Sequence, residues 1–396
     1  MRGLSEKAWL QNLALCLLMI LSLLLLVQTL GKAFRVVGYD FTVYLRSAAA
    51  LIDGTDPYHT ESFFPYTYPL TLAFCIIPLT WLPYWLSCVI WFLISLVVLA
   101  LSGRITIVLL RRTGLVLDHR KLPIAILLLV TAMFSTIQNN LLNGQVNFIV
   151  LFFCLLFLKF FIEGKFIRSS VALSIAISLK LVPLILLGFL VFRKKVSVIL
   201  LTLTLSTVML FAPALITGQK ILDYYSYYLN SFLLFNLDGR VSERIALNIS
   251  YVLKVFFGLG TGSNSLLSVI SFGLILSGIE IYSLRKRGAE VEVWRFCLYL
   301  LGILFISPMS QKHYLAYLFP SVGVGFAFFC LGRLRNNALD GWLLMLSLLN
   351  VVILAETFDR GPFYFIGTFL LFLLVSRQIL FLSMGALPSR TAAGSG

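Results

Sequence analysis

Asp40 heads the stretch Asp40-Phe41-Thr42-Val43-Tyr44, after which the apolar residues Phe41, Tyr44, Leu45, Ala48, Ala49 and Ile52 recur at helical spacing. That spacing predicts an amphipathic helix lying in a membrane interface. Asp40 then has two readings: the N-cap of that helix, or a carboxylate held at the bilayer surface to take a proton from a hydroxyl. Asp56-Pro57 begins a turn further along. Asn143-Gly144-Gln145-Val146-Asn147 sets amides around a glycine between two apolar runs. Asn-Gly alone signals a turn, whereas the amide set offers donors and acceptors suited to sugar hydroxyls.

Lys180 stands between Leu179 and Leu181 with no acid near it in sequence. A charge in a membrane segment costs about 2.5 kcal/mol or more at the centre, so it marks a functional position unless its head snorkels to the interface. A cation there suits a phosphate as a compact point charge. Late in the chain, Ser307-Pro308-Met309-Ser310-Gln311-Lys312-His313-Tyr314 opens another apolar run. Of the histidines, His59 falls in a polar loop and His119 in a basic turn, while His313 begins a span beside Lys312. His313 is either a hydrogen-bonded helix-end residue or, with Lys312, a group that binds or protonates a leaving phosphate.

The elements that position these residues follow from composition. The 396 residues are 60% hydrophobic and 12% charged, with apolar runs of membrane-crossing length from end to end, which excludes an ordinary soluble core. The net charge of +15 sits in clusters between those runs, as expected for cytoplasmic loops, and nucleic acid is not an expected partner. The first apolar run is too long for a secretory signal and reads as a retained helix. Arg2 and Lys7 place the N-terminus inside, and the basic clusters at 111–112, 120–121, 165–168, 193–195, 285–287 and 333–335 all fall inside if the chain crosses about twelve times. The crossings are near 8–30, 85–110, 122–140, 148–162, 166–179, 183–192, 196–215, 265–284, 292–306, 314–331, 341–355 and 363–382. The chain is then one polytopic membrane domain, all helical, with a first outer loop over 31–83 and a second over 216–262. Within the first loop, 68–83 re-enters or lies in the interface, and 166–192 is a pair of short crossings broken near Lys180 and Pro183. Polar, aromatic and acidic material gathers outside, at 38–66, 139–147, Lys180, 217–250, 307–314 and 356–361, so an outer-face cavity is expected. The scattered cysteines read as small core residues, and no metal or cofactor is expected. Neither a P-loop nor a G-x-G-x-x-G strand-turn-helix is found, which argues against ATP or a nucleotide-sugar as donor.

In order along the chain, Asp40-Phe41 with Tyr44, Gly54 with Asp56-Pro57-Tyr58, Tyr66 with Tyr68-Pro69, Pro78-Leu79, Leu82-Pro83, Asn143-Gly144-Gln145 with Asn147, Lys180 with Pro183, Asn248 with Ser250, and Ser307-Pro308 with His313-Tyr314 resemble glycosyltransferase family 87. That family belongs to the GT-C superfamily of polyprenyl-phosphate-sugar-dependent enzymes and includes mannosyltransferases of phosphatidylinositol-mannoside synthesis. The resemblance implies a GT-C-type bundle in the plasma (inner) membrane and an inverting displacement at the anomeric carbon of a lipid-phosphate sugar, mannose by precedent. The acceptor would be a glycolipid or polysaccharide at the extracytoplasmic face. It implies that Asp40 is the general base, that Lys180, His313 and Lys312 hold the donor phosphate, and that Tyr44, Asp56, Tyr58, Asn143, Gln145, Asn147 and Asn248 bind sugar or acceptor. Gln311-Lys312 departs from the aromatic or acidic residue and second histidine that members often carry. Two rival readings remain open from the residues alone: a transporter or flippase of lipid-linked saccharide, and a non-catalytic subunit of an envelope-synthesis complex.

Overall fold

A segment that crosses hydrocarbon must satisfy its backbone N–H and C=O groups internally, which a helix does. The computed structural model of the chain describes residues 2–35, 39–115, 121–234, 249, 261–307, 310–354 and 361–384, and among these there is no strand. His119, Asn248, Ser250, Pro308 and most of the second outer loop lie outside the described residues. Helices α1 (Arg2–Ala33), α2 (Asp40–Ile52), α3 (Leu70–Thr80) and α4 (Tyr84–Arg112) are followed by α5 (Lys121–Ala132), α6 (Phe134–Asn143), α7 (Asn147–Ile162) and α8 (Phe166–Leu179). A 3-10 turn, Val182–Ile185, leads into α9 (Leu186–Phe192), α10 (Val196–Phe211), α11 (Ala214–Thr217) and α12 (Lys220–Tyr228). Then come α13 (Thr261–Ser283), α14 (Ala289–Ile306), a 3-10 segment Lys312–Leu318, α15 (Phe319–Cys330), α16 (Asn337–Leu348) and α17 (Gly361–Met384).

Among the described residues, Tyr84–Arg112, Val196–Thr217, Lys312–Cys330 and Pro362–Met384 are long and apolar enough to cross a membrane, with a fifth crossing if α6 and α7 form one broken span. Leu23 and Val27 on α1, Val97 on α4, Val208 on α10 and Leu274 on α13 each expose more than half their surface. Outward-facing apolar stripes on so many helices need lipid to cover them, so the chain is a multi-pass integral membrane protein. Fewer full-length spans than the expected twelve stand out because several of the expected crossings, including Phe166–Leu179 and Val182–Phe192, are short helices interrupted by breaks. At 11 residues α3 is about 16 Å long, half the hydrocarbon thickness.

The breaks have local causes. Lys180 leaves α8 in an extended conformation (φ −157°, ψ 128°), three residues before Pro183, which has no N–H to continue the ladder. Between α6 and α7 the axis turns by 118° at Gly144, whose left-handed conformation closes α6. Small side chains allow close packing elsewhere: on α8, Ser174 Oγ donates to the Thr202 carbonyl and Ser170 Oγ to the Val198 carbonyl of α10.

The opposite, basic end is held by charge pairs. Arg193 meets Glu280 at 3.1 Å and Glu292 at 2.5 Å, and Arg295 meets Glu292 at 3.1 Å and Glu280 at 3.4 Å, tying the end of α9 to α13 and α14. Arg193 is therefore a structural cation as well as a loop charge. Cys88, Cys154 and Cys297 are buried as expected, but Cys16 and Cys75 are exposed on apolar helices rather than in the core.

Candidate functional site

Four interruptions of the helical framework meet at one place: the start of α2, the elbow between α6 and α7, the break after α8, and the entry to the 3-10 segment Lys312–Leu318. Each carries one of the polar residues singled out above. Irregular backbone at membrane depth is tolerated where it lines a cavity or is buried in protein, and polar side chains there must be paired.

Asp40 is the first residue of α2 and does not cap it. Tyr39 holds the cap position without a side-chain cap bond, and the Asp40 carboxylate instead accepts a hydrogen bond from Gln145 Nε2. The capping reading fails because the helix begins one residue earlier than that role needs. Gln145 is itself fixed, since its Oε1 accepts from Tyr68 Oη at 3.2 Å and Tyr44 Oη at 3.5 Å. The amide orientation is thus set by the two phenols, which leaves Nε2 to donate to the carboxylate.

Lys180 does not snorkel. It is 5% exposed, donates to Asn147 Oδ1 at 2.7 Å, and its ammonium stands 3.7 Å from the Tyr314 ring centroid and 5.3 Å from that of Tyr68. Among the described residues, one hydrogen bond and two aromatic faces compensate part of the desolvation and leave donor capacity unused. Asn147 Nδ2 in turn donates to Asn140 Oδ1 at 3.0 Å and to the His313 carbonyl at 3.2 Å, and Asn140 Nδ2 donates to that same carbonyl at 3.0 Å. The backbone at His313 is therefore clamped beside Lys180.

Burial pushes the Asp40 carboxyl up to about 6, against the downward pull of Lys32, the Gln145 hydrogen bond and Lys180. A carboxylate titrating there is ionised at neutral pH and basic enough to receive a proton. The site thus holds an acceptor of protons and a buried cation on neighbouring walls.

The other expected residues are placed less centrally. Asn143 Oδ1 accepts from Lys32 Nζ, so it orients that lysine. Tyr58 donates to the Tyr68 carbonyl at 3.2 Å and stacks on Tyr228 with centroids 5.8 Å apart. Asp56 is at the surface, where it accepts from the Tyr58 N–H at 2.8 Å and pairs with His59 at 2.8 Å. The Tyr58 contact is the turn that Asp56-Pro57 signals. Lys312 opens the 3-10 segment beside His313.

Lys32, Asn140, Tyr68 and Tyr314 join the site without having been assigned a role from sequence. Lys32 carries a signal in retrospect: a cation in the last turn of an apolar helix. Asn140 and Tyr314 carry none, because the His313 carbonyl that Asn140 holds is 173 residues away and the Lys180 that Tyr314 faces lies on another element.

Gly144 holds the elbow against α2. Its φ is +64°, and a Cβ added there would fall 2.7 Å from Phe41 Cβ and 3.0 Å from the Tyr39 ring, while Trp91 Nε1 donates to its carbonyl at 2.8 Å. Gly144→Ala is expected to cost about 2–3 kcal/mol, from the left-handed conformation and the overpacking together. Thermal unfolding in detergent should show a clear drop, and an unchanged midpoint would mean that the elbow does not press on α2.

Among known proteins, a family model described as glycosyltransferase family 87 matches residues 66–310, more than half of the chain. Gln145, Asn147 and Lys180 fall within the match, whereas Asp40 and His313 lie outside it. No curated protein matches.

Proposed function

The chain belongs to glycosyltransferase family 87 and is a membrane glycosyltransferase; from that premise we propose that it takes a single sugar, mannose by family precedent, from a polyprenyl-phosphate carrier. The acceptor is a glycolipid or polysaccharide, and the reaction runs at the extracytoplasmic face of the plasma (inner) membrane within a GT-C-type bundle of about twelve crossings. The observation that carries this reading is the joining of Asp40, through Gln145, to the wall that holds Lys180 on Asn147. An acid–base group and a cation so placed match the two ends of a glycosyl transfer.

The acceptor O–H gives its proton to Asp40 while its oxygen attacks the anomeric carbon. The bond from that carbon to the phosphate oxygen breaks, its electron pair leaves with the polyprenyl phosphate, and configuration inverts. Lys180, with Lys312 and His313 alongside, offsets the extra negative charge on the departing phosphate. Tyr44, Tyr58, Asp56, Asn143, Gln145, Asn147 and Asn248 supply the polar and aromatic surface for sugar and acceptor. Gln145 has a positioning role as well, because its amide holds the carboxylate that must face the hydroxyl.

The pH profile tests the base. Only ionised Asp40 accepts a proton, so kcat/KM should rise about tenfold per pH unit up to about 6 and level off above, with about a tenth of the plateau remaining at pH 5. Transfer measured in proteoliposomes at fixed donor would show the limb. A profile flat down to pH 4.5 would remove Asp40 from the chemistry.

Sidedness is a separate matter. In a background freed of native cysteines, His59→Cys should react with a membrane-impermeant thiol reagent in intact cells, and Lys286→Cys only after permeabilisation. Reversed labelling would put the site in the cytoplasm.

A further inference from the structure

The C-terminal end of α1, the side of α2 turned from Asp40, the 62–64 and 79–82 segments and the first turn of α4 line an open cavity of about 520 Å³. On α2, Thr42, Arg46 and Ala49 line it at i, i+4 and i+7, whereas Asp40, Tyr44 and Ser47 occupy the other face. Arg35 and Arg46 supply its cationic wall, and Phe34, Phe63, Phe64 and Leu82 much of its apolar one. No ion pair among the described residues involves either guanidinium. Part of the remaining polar wall is already paired, since Tyr84 Oη bonds Thr42 Oγ1 at 2.7 Å and donates to the Ala33 carbonyl at 2.8 Å.

The level of the cavity is marked by its surroundings. Trp81 and Trp85, 74% and 53% exposed, flank it where α4 begins, and Leu93 and Val97 continue along α4 as exposed apolar residues. Exposed tryptophans above an apolar stripe are the signature of a membrane–water boundary. Val27 and Leu23 give α1 the same apolar exterior. In the proposed orientation both arginines stand outside, against the bias that keeps such residues in the cytoplasm, so a local anion is needed to account for them.

We propose that this cavity binds the head-group phosphate of an anionic phospholipid of the surrounding bilayer, with Arg35 and Arg46 on the phosphate and the acyl chains along the exposed stripes of α1 and α4. Guanidinium groups match phosphate oxygens in planar, paired fashion, and the aromatic walls cover the glycerol end of the lipid. A lipid seated there fills the space behind α2 and backs the helix that carries Asp40. It is distinct from the donor, whose phosphate belongs with Lys180 on the far side of that helix.

The test is lipid retention. The purified full-length chain is equilibrated with mixed micelles holding equal phosphatidylglycerol and phosphatidylcholine, and bound lipid is counted by native mass spectrometry. The wild type should retain phosphatidylglycerol over phosphatidylcholine by about tenfold, and the double variant Arg35→Gln/Arg46→Gln should bring that ratio close to one. The double variant Arg35→Lys/Arg46→Lys should keep most of the preference, which separates loss of charge from loss of fold. A wild type without preference, or a glutamine variant that keeps it, would overturn the assignment. So would displacement of the phospholipid by the glycosyl acceptor, which would make the cavity part of the substrate path. No sugar is transferred in this measurement, so its failure leaves the proposed reaction standing.

Discussion

Asp40→Asn is expected to fold, insert and bind donor while its transfer rate falls by at least about 10²–10⁴, the contribution usual for a general base. The structure argues that the loss will be chemical. The substituted amide would keep an oxygen able to accept from Gln145 Nε2, and Gln145 is itself held by Tyr44 and Tyr68. The exchange weakens a charge-assisted hydrogen bond but also removes the cost of burying a charge, so stability should change by about 1 kcal/mol or less. Donor affinity, which rests on Lys180, should hold. A purified variant with near wild-type turnover would leave the carboxylate as a partner of Gln145 only, and the base would have to be sought elsewhere, at Asp56 for example.

Lys180→Met should weaken binding of the polyprenyl-phosphate sugar by about ten- to a hundredfold, the range of a lost charge-assisted hydrogen bond. Lys180→Arg, which keeps the charge, should lose much less. Two effects on stability oppose each other in the methionine variant. Removing a buried cation relieves desolvation, whereas Asn147 Oδ1 loses its 2.7 Å donor and the rings of Tyr314 and Tyr68 lose their ammonium. The binding measurement is decisive because a purely structural lysine would not move it. Equal donor affinity in both variants would assign Lys180 to holding Asn147 and the His313 backbone.

The contrast between residues that are legible in the sequence and those that are not has a physical basis. Asp40, Lys180 and the 143–147 amides declare themselves because a polar group beside a long apolar run carries a cost that something must repay. The break at Lys180 follows from Pro183, and the elbow from Gly144, both local in sequence. What the helices do with those breaks is not local. Asp40 meets Gln145 across 105 residues, and Lys180 meets Asn147 across 33. The Arg193–Glu280–Glu292–Arg295 group is hidden for the same reason: positive-inside counting reads Arg193 as a loop charge, but does not reveal that it closes on two acids from α13 and α14. Nor do twelve apolar runs translate into twelve full-length helices, because periodicity cannot tell a short broken helix from a complete one when both are apolar throughout.

The most direct test is a single-turnover measurement with the purified wild-type chain in proteoliposomes, a polyprenyl-phosphate sugar labelled in the sugar, and a membrane glycolipid acceptor. The label should move to the acceptor as free polyprenyl phosphate appears in equal amount, with no label moved by Asp40→Asn under the same conditions. An intact lipid donor alongside efficient transfer from a nucleotide-sugar would contradict the account.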